Sequence, residues 1–195
     1  FPVSDLPTLR HADSYLQGHP NMNLVPGVDM STGSLGQGVS CAAGMAKGAK
    51  YLGQDINVYT LLGDGEIEEG EVWEAFMFAA HYKLDNLCVI IDLNGLQIDG
   101  PTEKVMNSAP VDAKMEAFGF NVITINGHDY DQIEGAFNAF RACTGKPTAI
   151  LMHTTKGKGV KYMENNVDWH DKAPNDAEYE VAMNELRAAM AELEA

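Results

Sequence analysis

The chain has 195 residues, 45% of them apolar and 21% charged, which is enough for one α/β domain with its own core. Only 13 basic residues stand against 28 acidic ones, so the formal charge is −15, and the dispersed lysines and arginines exclude a surface for nucleic acid or acidic membrane. Cys41, Cys88 and Cys143 form no CxxC pair, which excludes a disulfide framework or thiolate zinc site and points to a reducing cytoplasm, and no run approaches the roughly 20 apolar residues of a membrane span.

Phe1-Pro2 opens without a signal-like apolar stretch and without Met, so the expectation is a start partway through a longer product. Residues up to about Val28 read as loop, because Pro2, Pro7, Pro20 and Pro26 interrupt any regular element. Leu35 to Leu52 (LGQGVSCAAGMAKGAKYL) predicts a helix of small residues, suited to close packing. Ile56 to Leu62 (INVYTLL) predicts a buried strand that stops at Gly63-Asp64-Gly65. Glu71 to Leu84 is dense in helix formers and apolar nearly all round, which predicts a helix packed on both sides. Leu87 to Asp92 (LCVIID) is a second strand, ending just before Asn94. Further on come a helix from Val111 to Phe118, a strand from Asn121 to Ile125, a helix from Asp131 to Cys143 and a strand from Thr148 to His153. Asp176 to Leu193 predicts an Ala- and Glu-rich helix that faces solvent or bridges to a further segment. One domain over residues 1–195 is expected, an open, mainly parallel sheet between two layers of helices.

A strand, helix, strand unit crosses over into a parallel pair, so both strands deliver their carboxyl ends to one edge, where open α/β sheets bind ligands. Asp64 and Asn94 therefore meet. Two such oxygen donors carry too little charge to hold a hard cation alone, and a ligand diphosphate would complete the shell. Gly63-Asp64-Gly65 by itself is better explained by an ordinary turn, since such turns are common. What changes the reading is its spacing, since 28 residues, 66 to 93, separate Gly65 from Asn94.

That spacing resembles the thiamine-diphosphate signature, GDG followed at two to three dozen residues by Asn. GDGEIEEGEVWEA, YKLDNL and GHPNMNLVPGVDMSTGSLGQG together resemble the N-terminal, diphosphate-binding domain of transketolases, nearly continuously from Phe1 to about Ala173. The resemblance implies thiamine diphosphate with magnesium or calcium, and transfer of a two-carbon ketol unit from a ketose phosphate to an aldose phosphate, the chemistry of the pentose phosphate pathway. It implies that Asp64, Asn94 and the backbone carbonyl of Leu96 hold the metal. Gly65 and Lys156 would then face the diphosphate, Glu66 would bind the cofactor, and Gly33, Ser34 and Leu35 would touch the thiamine. His19 in GHP and His170 in NNVDWHDKAP match histidines that line the substrate channel, His170 also reaching the cofactor. An imidazole, titrating ordinarily near about 6.5, suits proton transfer there. Glu69 and Glu74 match glutamates that, at a dimer interface, meet the other subunit.

Each residue also has a plainer reading. Gly33 to Gly38 lacks the GxGxxG order and serves equally as a glycine-rich helix start with Ser31, Thr32 or Ser34 as caps. The Lys156 loop, TTKGKG, is no Walker loop and is in other settings a solvated turn. Glu69 and Glu71 suit a helix N-terminus, and Glu74, in an apolar helix, must face solvent, a partner or a bound proton. Asp129 in Asn126-Gly127-His128-Asp129 reads as an N-cap. His11, His81, His128 and His153 have no spacing that implies metal or nucleophile.

Two departures from the family stand out. Histidines that transketolases carry upstream of the position of Phe1 are absent from this sequence, as is the middle domain whose glutamate activates the aminopyrimidine ring. The length and the lettering after His170 resemble the N-terminal subunit of transketolases encoded in two pieces, or a truncated subunit. The first implies as partner a C-terminal transketolase subunit, in a heterotetramer or similar dimer of heterodimers. Alternatives are a split transketolase for an unusual or modified ketose, a deoxyxylulose-phosphate synthase, against which GHP, SLGQG and WH argue, and a non-catalytic scaffold subunit.

Overall fold

The computed structural model describes residues 1–194. Four parallel strands form the sheet: β1 (Val58–Gly63), β2 (Leu87–Leu93), β5 (Asn121–Asn126) and β6 (Thr148–His153), in the order β1-β2-β6-β5. After β2 comes a small hairpin of β3 (Leu96–Gln97) and β4 (Gly100–Pro101), followed by a single helical turn, α3 (Thr102–Val105).

Alternate residues of the central strands enter two separate cores, as the period of two requires. Leu87, Val89 and Ile91 of β2 with Ala149 and Leu151 of β6 face α1 (Gln37–Tyr51), α2 (Gly70–His81) and α4 (Val111–Phe118). Cys88 and Ile150 face α5 (Tyr130–Ala142), through Ala136 and Phe140. This is the expected three-layer α/β architecture. In α1 the buried positions are Val39, Ala42, Ala43, Ala46 and Ala49, a stripe of small side chains that lets α1 lie closely against α2.

The last helix, α6 (Asp176–Leu193), starts on a capping box in which Asn175 and Glu178 exchange side-chain and backbone hydrogen bonds, and buries only Ala182. It faces solvent, one of the two placements expected for it. Among the described residues no helix is long and apolar enough to cross a membrane.

Several expectations need correction. The first helix begins at Gln37 rather than Leu35, because Gly36 adopts a left-handed conformation (φ 83°) and leaves Leu35 in the loop. Val3–Thr8 is a 3-10 helix that contains Pro7, where only loop was expected, and 96–105 folds into the hairpin and turn that the sequence reading missed. β1 runs from Val58 to Gly63 instead of Ile56 to Leu62, and α2 from Gly70 to His81 instead of Glu71 to Leu84. β2 and β5 each extend one residue further, and α5 lies one residue earlier. Nor is α2 packed on both sides within this chain: Val72, Ala75, Phe76 and Ala79 are buried, but Met77 is 58% exposed and Glu74 lies on the open surface.

Candidate functional site

The strand register assembles the site. Gly63 pairs with Asp92, and Leu93 pairs with His153, which in turn pairs with Asn126. Asp64, Asn94, Thr154 and Gly127 thus follow directly from neighbouring strand ends along one edge.

Asp64 is the only buried carboxylate among the described residues, 4% exposed. Its Oδ2 accepts the Gly95 amide at 2.6 Å, while its Oδ1 is buried with no partner among the described residues. Burial pushes the carboxyl's pKa above the usual carboxylate range, Asp92 adding to the push, against the pull of the Gly95 and Gly65 amides. A buried carboxylate oxygen without a donor is a costly arrangement that a cation relieves. Asn94 donates through Nδ2 to Asp92 Oδ2 at 2.9 Å, and its Oδ1 accepts the Leu96 amide at 3.0 Å. Opposite Leu96 across the hairpin stands Pro101, which has no amide hydrogen to offer the Leu96 carbonyl. Asp64, Asn94 and the Leu96 carbonyl make an oxygen-only donor set, the kind that suits magnesium or calcium. No group of three His, Cys, Asp or Glu side chains suited to a metal exists among the described residues, so an ion here needs the amide, the backbone and a ligand's oxygens. Asp64, Asn94, Leu96, His153 and Asn165 share the wall of one hollow of about 600 Å³.

Beside this edge lies the loop before α1. Gly33, Ser34, Leu35 and Glu66 line a second, larger hollow of about 1000 Å³ against β1, with Leu35 58% exposed in it. Glu66 ties the two parts together, since its Oε1 accepts the Gly36 amide at 3.0 Å and its Oε2 the Gly63 amide at 3.2 Å. Gly65 is closely covered: a Cβ there would stand 2.9 Å from Cβ of Gln97.

The two histidines sit on outer loops. The His19 ring rests on Gly33, where φ is +132° and a Cβ would come within 2.5 Å of His19 Cδ2. Arg10, Gln17, Gly18, His19 and Asp171 line a third hollow, of about 650 Å³. His19 is thereby brought to the segment of His170, the neighbour of Asp171. That segment is anchored from behind: Trp169 lies under the Lys172 ammonium at 4.2 Å and against Tyr162, whose hydroxyl donates to the Glu178 carbonyl in α6 at 2.7 Å. Lys172 also pairs with the Glu178 carboxylate at 2.7 Å.

Lys156 follows β6 in a loop whose shape needs glycine at 157, where φ is +74° and a Cβ would meet the Met163 carbonyl at 2.5 Å. The Asn165 amide donates to the Lys156 carbonyl at 3.0 Å, so the loop touches the first hollow through Asn165, while Lys156 itself is not in its wall. The Lys156 ammonium has no ion pair among the described residues. Glu69 holds the N-cap position of α2 without a side-chain capping bond and, like Glu74, is exposed. Asp129 is the N-cap expected, accepting the amides of Asp131 and Gln132.

Sequence reasoning missed Asp92, Thr154 and His128. Asp92 Oδ1 accepts the Thr154 hydroxyl, and His128 Nε2 accepts the Thr155 amide at 2.8 Å. Asp92 was findable, because residues two apart at a strand end share a side, and Asp92 precedes Asn94 by two. The other two contacts cross between strand ends and leave no trace in local spacing.

Comparison with known proteins places these observations. Residues 1–190 match the family described as transketolase, thiamine diphosphate binding domain. An apulose-4-phosphate transketolase subunit of Actinobacillus succinogenes is 42% identical over 96% of this chain and 67% of its own length. A 6-deoxy-6-sulfo-D-fructose transketolase subunit of a Clostridium species is 40% identical over 95% of this chain and 68% of its own. Among solved structures, the transketolase of Campylobacter jejuni superposes with a TM-score of 0.88 at 35% identity, over 94% of this chain and 30% of that one. The chain thus spans about two thirds of these subunit relatives and under a third of the Campylobacter jejuni chain.

Proposed function

Because the chain belongs to the transketolase family through its thiamine diphosphate binding domain, we propose that it forms the metal- and diphosphate-holding part of an enzyme that transfers a two-carbon ketol unit from a ketose phosphate to an aldose phosphate. The observation that carries this reading is the buried, unpartnered Oδ1 of Asp64 at the strand edge beside Asn94.

Thiamine diphosphate, when bound, supplies the carbanion chemistry. Asp64, the Asn94 amide oxygen and the Leu96 carbonyl would hold magnesium or calcium against the diphosphate. Lys156 and the Gly65-Glu66 loop would meet the diphosphate, with Glu66 also fixing the loop of Gly33, Ser34 and Leu35 as the wall for the thiamine rings. His19 and His170, whose loops border one hollow, would orient the sugar and move protons on its hydroxyls, His170 also touching the cofactor.

The aminopyrimidine ring has no assigned holder in this chain, so a second polypeptide resembling a C-terminal transketolase subunit is proposed to dock over the edge and supply it. Two relatives are themselves named as transketolase subunits, which supports a divided enzyme. Glu69 and Glu74, both exposed, are proposed to meet a further copy in a heterotetramer or similar dimer of heterodimers, working in the cytoplasm. The same two relatives are named for uncommon sugars, and this favours a second reading in which the ketose is modified.

The test is reconstitution. The purified chain, the purified partner and their mixture are assayed with magnesium and thiamine diphosphate on pentose phosphates and on modified ketose phosphates. Activity is expected only in the mixture; ketol transfer by the chain alone, with contaminating partner excluded by mass spectrometry, defeats the divided-enzyme reading. The preferred ketose separates the two substrate readings.

A further inference from the structure

Both oxygens of Asp92 are committed to neighbours that carry other parts of the site. Oδ2 accepts the Asn94 amide nitrogen at 2.9 Å, and Oδ1 accepts the hydroxyl of Thr154. Thr154 stands two residues before Lys156, and the next residue, Thr155, gives its amide to His128 Nε2 at 2.8 Å. A Cβ on Gly127 would stand 2.5 Å from Thr154 Cγ2, so the turn after β5 presses on the same threonine.

An asparagine amide has two ends of nearly the same shape, and only its oxygen ligates a cation. A carboxylate accepts and never donates when ionised, so it can take only the nitrogen end. The Leu96 amide makes the complementary choice, donating to the Asn94 oxygen at 3.0 Å. Asn94 is thereby fixed in one of its two flips.

We propose that Asp92 is a positioning residue: with Thr154 it braces the ends of β2 and β6, holding Asn94 with its oxygen toward the cation and tying the lysine-bearing loop to the same carboxylate. The inference rests on reading this edge as a cation and diphosphate site. Fold stability alone does not account for the arrangement, since a second carboxylate beside the buried Asp64 adds like-charge repulsion. An acidic group here is useful when it orients a ligand, as partners behind metal ligands do.

Two roles for Asp92 make different forecasts. As a brace, Asp92 needs an acceptor; as a mere electrostatic attractant it needs a charge. Asp92→Ala removes both. Asp92→Asn keeps an acceptor for Asn94 and can donate its own amide to the Thr154 hydroxyl, but loses the charge. Thiamine diphosphate is titrated calorimetrically in magnesium into the chain assembled with its partner, for wild type, Asp64→Ala, Asp92→Ala, Asp92→Asn, Thr154→Val and Thr154→Ser, each checked by thermal melting.

Asp92→Ala is expected to weaken binding roughly 10- to 100-fold, the usual cost of losing a partner behind a metal ligand. Asp92→Asn should recover most of that, and Thr154→Ser should bind more tightly than Thr154→Val. Asp92→Asn as weak as Asp92→Ala, or Asp92→Ala binding like wild type, overturns the brace. If the Asp92 variants do not fold, the Thr154 pair decides, and equal affinity of its Ser and Val forms overturns it. Asp64→Ala is the control for the underlying reading: full binding by that variant sinks the cation site itself, whereas its loss with unchanged Asp92 variants sinks only the brace.

Discussion

Asp64 lies 4% exposed at the end of β1, and the residues around it are tied to one another across three strand ends, through Gly95, Asp92, Asn94 and Thr154. His19 and His170, proposed for the substrate side of the site, both lie on the surface, on loops held by contacts outside the sheet. The difference separates two tasks. A cation needs oxygens at fixed positions before it arrives, which a rigid strand edge can provide. Groups that handle a substrate need to be reachable and become enclosed only when a cover is in place. Disturbing the strand edge should therefore cost binding and turnover together, and disturbing the loops turnover alone.

The largest effect is expected at the strand edge. Asp64→Ala removes the buried carboxylate and should abolish metal-dependent thiamine diphosphate binding by the assembled protein, because no group of three His, Cys, Asp or Glu side chains stands among the described residues to hold the cation in its place. Calorimetric titration with and without chelator reads this directly. Unchanged binding would erase the distinction between the two regions, since the strand edge would then not be the part that holds the cation.

At the loops the loss should appear in rate and not in affinity. His19→Ala or His170→Ala in the assembled protein should lower turnover by roughly 10²–10⁴, the range for removal of a general acid or base, and leave cofactor binding largely intact. Steady-state kinetics beside the same titration separates the two readouts. Normal turnover by both variants would return the histidines to structural roles.

Much of this division was legible in the sequence, and the part that was not has a physical reason. The bounds of α4, β6 and α6 agree with the reading of their apolar patterns, and the paired placement of Asp64 and Asn94 followed from strand, helix, strand alone. The start of α1 was misplaced because the left-handed backbone of Gly36 interrupts a run of helix-compatible letters. The open face of α2 was misread for a different reason: Met77 and Phe78 look like core in a string of letters, and only the packed structure shows that the described residues leave them 58% and 39% exposed. The contacts of Thr154 with Asp92 and of Thr155 with His128 join residues 62 and 27 positions apart, beyond the reach of any helical or strand period.

A smaller effect, on stability, sharpens the comparison most because it needs neither partner nor substrate. Asp64 is raised chiefly by burial, so in the cation-free chain its ionised form is less favourable folded than unfolded. For a carboxyl whose folded pKa is raised, that penalty is fully present above the folded pKa and disappears as pH falls below the ordinary carboxylate value, where both states are protonated. Asp64→Asn keeps an oxygen for the Gly95 amide and removes the charge. The cation-free variant should therefore melt above the wild type at neutral pH, with the gap closing as pH is lowered toward about 4, the unfolded value for Asp. Magnesium and thiamine diphosphate, added to the assembled protein, should reverse the order by stabilising the wild type and not the variant. Melting curves across that pH range check both halves. A variant no more stable than the wild type at neutral pH would mean that the buried carboxylate carries no penalty for a cation to relieve, and the strand edge would lose its claim to be built in advance of its ligand.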